Sequence, residues 1–221
     1  MPSARDGNVV TPPFGAESVQ ILRSALKSGR VMTYPTETSY ALGGNALSGT
    51  LVDSIYRLKG RDRRKPLLLL IDGSRRIEGW VEGIPDAARA LMRALWPGPL
   101  TLVFRAGKQL PAHLPDERGT VAVRWSPHPL VAELLKIGGV PLIGTSANVS
   151  GMPSLNDAQS VLASFPQEPI LAVDGGPAPG GAASTVLDAT VKPFAVVRLG
   201  AVPLNKIRAA LSKSYSGYAP V

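Results

Sequence analysis

Five cations, Lys59, Arg61, Arg63, Arg64 and Lys65, stand within the seven residues Lys59–Lys65, with Asp62 as the single carboxylate among them. Pro66 fixes its own φ and biases Lys65 toward an extended conformation. The apolar run Leu67–Ile71 follows at once and has the length of a buried strand. A positive loop is thereby held against the edge of a sheet. Cations fixed on a scaffold suit a phosphate, because little has to reorganise when the anion arrives. Taken alone, such a cluster is more often a solvated charge run.

Other segments add hydrogen-bonding capacity. Thr36–Gly44, Thr145–Gly151 and Asp174–Ser184 offer hydroxyls and, at their glycines, accessible backbone amides, and Arg124 and Arg198 stand at strand ends. The set suits binding and aligning an anionic substrate by charge and hydrogen bonds, with no nucleophile from the protein. Singly, each member has a plainer role. Thr145–Gly151 is an ordinary turn in which Asn148 suits the left-handed conformation, and each arginine serves as an ion-pair partner.

Several chemistries are excluded. The chain has no cysteine, so thiolate catalysis, thiolate metal sites and disulfides are absent. Neither G-x-x-x-x-G-K-[ST] nor G-x-G-x-x-G occurs. The two histidines, His113 and His128, have neither triad nor metal-ligand spacing; His128, between two prolines at a helix start, reads as a cap or surface residue. No carboxylate cluster forms a dedicated metal site. A divalent ion acting here would be held mainly by the substrate's own phosphates.

The elements that must position these groups follow from periodicity. Helical spacing covers Ala16–Ser28 with Gly29 as a stop, Thr50–Leu58 with Thr50 as cap, Asp86–Trp96, Pro127–Ile137, Asn156–Phe165 and Leu204–Leu211. Strands are expected at Val31–Tyr34, Leu67–Ile71, Leu100–Phe104, Thr120–Trp125, Val140–Gly144, Ile170–Val173, Ser184–Leu187 and Phe194–Leu199, with Pro35–Gly44 a polar loop. Several strand neighbours are joined by segments too short for a crossover. The expected fold is therefore one α/β domain with a twisted mixed parallel/antiparallel sheet flanked by helices. It should span residues 15–213, after a flexible arm at 1–14 and before a frayed tail at 214–221.

Composition bounds the function. The chain has 221 residues, 44% hydrophobic and 18% charged, which is globular and large enough for a sizeable core. Its net charge of +8 makes nucleic acid a legitimate partner, although 5% aromatic residues supply little surface for base stacking. Binding through this general field should be weak, sequence-blind and steeply salt-dependent. No apolar run approaches a membrane span, and Met1–Gly15 lacks the apolar core of a secretory signal, so a cytoplasmic location is expected.

In sequence order the chain carries Pro35-Thr36-Glu37-Thr38-x-Tyr40-x-Leu42-Gly43, Lys59-x-Arg61 with Lys65-Pro66-Leu67, Trp96-Pro97-Gly98-Pro99-Leu100-Thr101, Thr120-Val121-Ala122-Val123-Arg124 and Ser146-Ala147-Asn148-x-Ser150-Gly151. Asp174-Gly175-Gly176, Ser184-Thr185 and Arg198-x-Gly200 complete the series. Across nearly the whole chain, from about Ser18 to Val202, this resembles the YrdC family, the threonylcarbamoyl-AMP synthases. The resemblance implies a nucleotidyltransferase. L-Threonine captures bicarbonate or CO2 as a carbamate, which attacks the α-phosphorus of ATP to give threonylcarbamoyl-AMP and pyrophosphate. The product feeds enzymes that transfer the threonylcarbamoyl group to the adenosine beside the tRNA anticodon. Mg²⁺ would accompany the ATP. The family's catalytic, ATP-contacting Lys, Arg, Ser and Asn fall on Lys59, Arg61, Ser146 and Asn148. Threonine contacts fall on Thr36, Arg124, Ser184 and the Gly144 backbone, and further ATP contacts on Thr120, Ser154 and Arg198. As a loop cation, Lys59 or Arg61 should contribute little to stability. Ala41 stands where the family usually has glycine, and Leu70 where it often has histidine. The resemblance is to the short form, without the C-terminal domain of longer relatives, which leaves the cleft open to a partner or an internal lid. The other reading is a double-stranded RNA or tRNA-binding module of the same fold, without synthase activity.

Overall fold

A computed structural model of the chain describes residues 8–73 and 77–212. Its strands are β1 (Val9–Val10), β2 (Met32–Pro35), β3 (Tyr40–Asn45), β4 (Leu68–Leu70), β5 (Leu100–Arg105), β6 (Thr120–Arg124), β7 (Leu142–Ser146), β8 (Leu171–Val173), β9 (Thr185–Asp188) and β10 (Ala195–Arg198). The helices are α1 (Ala16–Ser28), α2 (Gly49–Lys59), α3 (Asp86–Leu95), α4 (Pro129–Gly138), α5 (Ala158–Ser164) and α6 (Leu204–Ser212). All described strands join one mixed sheet in the order β1-β8-β2-β3-β7-β4-β6-β5-β9-β10. Parallel pairs β1–β8, β2–β8, β4–β6 and β5–β9 are mixed with antiparallel ones such as β2–β3 and β3–β7.

The period of two along each strand sorts side chains to two faces. On one face Tyr40, Leu42, Leu69, Leu100, Leu102, Val121, Val123, Ile143 and Leu187 pack with α2, α3, α5 and α6 in a continuous core. On the other, Met32, Tyr34, Ala41, Leu70 and Leu142 pack under α1 and α4. Those two helices lie against one another and reach β2 and β3. The same face continues across β6, β5 and β9, where Thr101, Val103, Ala122, Arg124 and Val186 line an open cleft. The sheet is thus a two-sided core at one end and a floor for ligand at the other.

Local chemistry explains the element ends and three differences from expectation. Gly29 caps α1 at φ 71°, a left-handed conformation that glycine adopts freely, and its N–H meets the Ala25 and Leu26 carbonyls. Ser48, not Thr50, caps α2: its extended backbone lets the side chain accept from Leu51 N, while Thr50 Oγ1 lies 2.8 Å from Ser48 Oγ. Tyr40–Asn45 was expected within a loop and is a strand. Its glycines allow close pairing with β2 on one side and β7 on the other, and tertiary pairing overrides their low strand propensity. The expected arm is ordered at Val9–Val10, which pair with Ala172 and Val173 at the sheet edge. The expected tail at 214–221 lies outside the described residues.

Gly43 shows how tight the β3–β7 pairing is. A Cβ there would lie 1.6 Å from the Ile143 carbonyl oxygen and 2.6 Å from the Tyr34 hydroxyl, and backbone cannot step aside as a flexible side chain can. Gly43→Ala is expected to destabilise the fold by about 3 kcal/mol, at the upper end for overpacking. Urea unfolding followed by circular dichroism checks this. A wild-type midpoint would mean that the strands separate without cost.

Candidate functional site

The cleft encloses about 810 Å³. Its lining contains six cationic side chains, Arg61, Arg64, Lys65, Arg118, Arg124 and Arg198, against one carboxylate, Asp62. Field lines from like charges concentrate in such a concavity, so the site selects for anions before any contact forms.

The cation loop divides its labour. Arg63 turns away to pair with Asp53 at 2.5 Å and to stack over the Tyr56 ring. Arg64 pairs with Asp62 at 2.8 Å. Arg61 is held by the Lys65 and Pro66 carbonyls at 3.3 and 2.9 Å and still faces the cleft. Burial lowers its pKa. Its position is fixed by backbone rather than by a competing carboxylate, which leaves its charge available to a ligand.

Lys59 does not behave as a loop cation. It is the last residue of α2 and only 2% exposed. Its ammonium donates to the Ser146 carbonyl, to the Asn148 carbonyl at 2.6 Å and to Asn148 Oδ1 at 3.3 Å. All three N–H donors are thereby engaged. Burial, and then the neighbouring Arg61, pull its pKa down to about 8. Ser150 N closes the ring by donating to the Lys59 carbonyl at 2.9 Å. The Asn148 amide nitrogen donates to the Val149 and Met152 carbonyls. Lys59 and Asn148 therefore shape the 146–152 loop from beneath, while Ser146 and Ser154 line the cleft. Lys59 is therefore not the exposed loop cation that was expected: it ends α2, and its charge is buried and fully hydrogen-bonded.

On the floor, Arg124 ends β6 and is 4% exposed. Its Nε lies 3.5 Å from Glu37 Oε1, and neither atom has a hydrogen-bond partner. Burial lowers its pKa, with Glu37 and Tyr34 opposing and Arg198 adding to the shift. Arg198 donates through Nε and Nη2 to the Ser184 carbonyl at 3.2 and 2.9 Å, and Nη2 also reaches Ser184 Oγ at 3.2 Å. Ser184 Oγ lies 3.0 Å from Thr101 Oγ1. Thr36 Oγ1 bonds the Ser39 carbonyl at 2.7 Å, which fixes the turn between β2 and β3 and leaves Thr36 on the cleft wall. Gly144, opposite Gly43 in the β3–β7 pair, lies under Leu70: a Cβ would meet Leu70 Cδ1 at 2.4 Å. Leu70 is thus a core residue that covers Gly144, on the side where a histidine would have offered a polar contact.

The structure brings Thr36, Arg61, Arg124, Gly144, Ser146, Ser154, Ser184 and Arg198 to one cleft. Lys59 and Asn148 stand behind its loop. Thr120 opens β6 beside the cleft, bonded through its backbone N–H to Asp116 at 2.8 Å and through Oγ1 to Arg118 at 3.5 Å. Sequence reasoning missed Glu37, Thr101 and Arg118 as members of the site. Thr101 was legible as the inward hydroxyl of an otherwise apolar strand. Arg118 is oriented by Asp116, two residues before it, at 3.1 Å and by the distant Asp188 at 3.9 Å, and only the tertiary structure shows that it faces the cleft. Among the described residues, no three His, Asp or Glu side chains gather as a metal site, and no helix is long and apolar enough to cross a membrane.

Comparison with known proteins agrees with this geometry. The Sua5/YciO/YrdC family model, described as "Telomere recombination", matches residues 24–200. The threonylcarbamoyl-AMP synthase of Pyrococcus abyssi is 34% identical over 195 residues, covering 88% of this chain and 57% of that protein. A putative threonylcarbamoyl-AMP synthase of Mycobacterium tuberculosis is 37% identical over 187 residues, covering 85% and 86%. The crystal structure of P. abyssi Sua5 complexed with L-threonine superposes with a TM-score of 0.84 at 33% identity, covering 91% of this chain and 59% of that one. Escherichia coli YciO, at 23% identity and a TM-score of 0.81, covers 90% of this chain and 97% of its own, and shares the fold.

Proposed function

The chain belongs to the Sua5/YciO/YrdC family, and from that premise we propose that it is a threonylcarbamoyl-AMP synthase, a nucleotidyltransferase acting on L-threonine, bicarbonate or CO2, and ATP. The observation that carries the reading is Arg124: a buried guanidinium that makes no hydrogen bond among the described residues, on the floor of a cleft lined by six cations. A buried cation without hydrogen bonds is costly unless a ligand completes it. The planar fork matches a carboxylate in two-point contact. L-Threonine supplies that carboxylate, and Thr36, Ser184 and the Gly144 backbone lie on the same walls to meet its remaining polar groups.

The chemistry then needs little from the protein beyond placement. The threonine nitrogen adds to CO2 and loses a proton, giving a carbamate. A carbamate oxygen attacks the α-phosphorus, the bond to the bridging oxygen breaks, and pyrophosphate leaves. Charge grows on the α-phosphoryl oxygens and on the leaving group, and Arg61 and Arg198 face the cleft where they can neutralise it. Ser146 and Ser154 supply hydroxyls on the opposing wall, and Thr120 supplies one beside Arg118. Lys59 and Asn148 serve the same step by holding the loop that presents Ser146. Mg²⁺ would ride on the triphosphate oxygens and screen the charge of the leaving group. The adenylate would pass to the enzymes that modify tRNA in the cytoplasm. An RNA-binding module without chemistry accounts for the positive field but not for the hydroxyl-lined floor, since phosphate tracking needs only cations.

The test is pyrophosphate release with ATP, Mg²⁺, L-threonine and bicarbonate, each omitted in turn. Release that requires all three substrates is expected, with a threonylcarbamoyl adenylate detected by mass spectrometry. Release indifferent to threonine would overturn the assignment.

A further inference from the structure

Resting on the threonine-carboxylate site described above, we propose that Glu37 is the positioning residue of Arg124 and that Ser126 fixes Glu37 in turn. Glu37 lies in the turn between β2 and β3, next to Thr36, and reaches across to the end of β6. Its two oxygens have different partners. Oε2 accepts from Ser126 Oγ at 2.5 Å, and Ser126 Oγ accepts from the His128 backbone N–H at 3.2 Å, just before α4. The serine hydroxyl is thus pinned on both sides, and the carboxylate with it. Oε1 is left facing Arg124 Nε at 3.5 Å. That distance and alignment fall short of a hydrogen bond, and these are the two buried side-chain atoms without a partner among the described residues.

The geometry assigns each edge of the guanidinium. A carboxylate beside Nε occupies the lateral edge of the fork, so the end bearing Nη1 and Nη2 is kept for an incoming carboxylate. Bringing Nε about 0.6 Å closer to Oε1 and into line with it would close the bond. The two unpartnered atoms then satisfy each other at the moment the substrate takes the other end. Charge is managed in the same act. Arg198 and Arg124 disfavour one another electrostatically, and the Glu37 carboxylate opposes the effect of burial on Arg124. Recognition at this point therefore rests on a paired, directed guanidinium rather than on the general positive field that serves the phosphates.

A double-mutant cycle tests this. Glu37→Gln keeps the shape and removes the charge. It is expected to raise the threonine KM about tenfold with kcat changed less than about threefold and the ATP KM unchanged. In the Arg124→Ala background the same change should have no further effect, because the residue it acts through is gone. Ser126→Ala removes one hydroxyl and should raise the threonine KM in the same direction by about threefold. It serves as the second variant should Glu37→Gln fail to fold. Effects of Glu37 and Arg124 that add, an ATP KM that moves with the threonine KM, or a threonine KM indifferent to both Glu37→Gln and Ser126→Ala would each overturn the inference alone. A wild-type chain with no threonine-dependent pyrophosphate release overturns the synthase reading and this inference together.

Discussion

Lys59→Ala is expected to cost both the reaction and much of the stability. The substitution strands three acceptors, the Ser146 carbonyl, the Asn148 carbonyl and Asn148 Oδ1, in a place that is 2% exposed. An unsatisfied buried acceptor costs about 1–3 kcal/mol, and the lost methylenes add a cavity. Removing the buried ammonium recovers part of that, because its desolvation also opposed folding. A net loss of about 3 kcal/mol is expected from urea unfolding, with pyrophosphate release reduced at least about a hundredfold. Lys59→Met, which keeps the volume, should recover some stability and none of the rate. An alanine variant with wild-type unfolding would show that the loop does not depend on the lysine.

The same residue gives a pH dependence whose two signs differ. The folded-state value of about 8 lies below the ordinary lysine value of 10.5. Lys59 therefore imposes a stability cost that is full below pH 8 and is relieved as pH rises toward the unfolded value, since the unfolded chain then binds the extra proton. The loop responds in the opposite sense. A neutral amine has two N–H groups for three acceptors, and the charge that strengthened each bond is gone. Arg61 is the charged neighbour acting on it. Activity should decline as pH passes about 8 while urea stability does not fall with it on account of this group. Parallel loss of both would place the titration elsewhere.

Arg124→Ala is expected to remove threonine recognition with little effect on the fold. The side chain is buried yet makes no hydrogen bond, so its deletion relieves a desolvation cost as it strands Glu37 near the cleft. These partly oppose one another, the deletion also leaves a cavity, and unfolding should shift by about 1–3 kcal/mol with the fold retained. The loss of a two-point carboxylate contact is another matter. It should reduce kcat/KM for threonine by about a hundredfold to a thousandfold, about 3–4 kcal/mol, with the ATP KM nearly intact. Arg124→Lys should recover only a fraction, because a point charge cannot offer the fork. Titration calorimetry with threonine and steady-state kinetics with both substrates decide it. Equal damage to ATP binding would mean that Arg124 serves the phosphates.

What the sequence determined and what it left open divide along the range of the forces involved. The helices, the mixed sheet and the grouping of hydroxyl and guanidinium segments were legible, because capping, periodicity and short connections are local properties. The end of α1 at Ser28 needed only Gly29 and the spacing of Leu22, Ala25 and Leu26. The strand Tyr40–Asn45 was not legible, because its glycines read as a turn until β2 and β7 lie on either side. Nor was the placement of Val9–Val10, which depends on Ala172 and Val173 far along the chain. At the site, residue types announced an anion, and the family motifs pointed to eight residues that line the cleft, to Thr120 beside it, and to Lys59 and Asn148, which stand behind its loop. The sequence could not say that Lys59 would be spent on carbonyls 87 and 89 positions away, or that Glu37 would face Arg124. A cation's role is set by which acceptors burial brings within 3 Å and whether water can compete, and only the tertiary structure decides both.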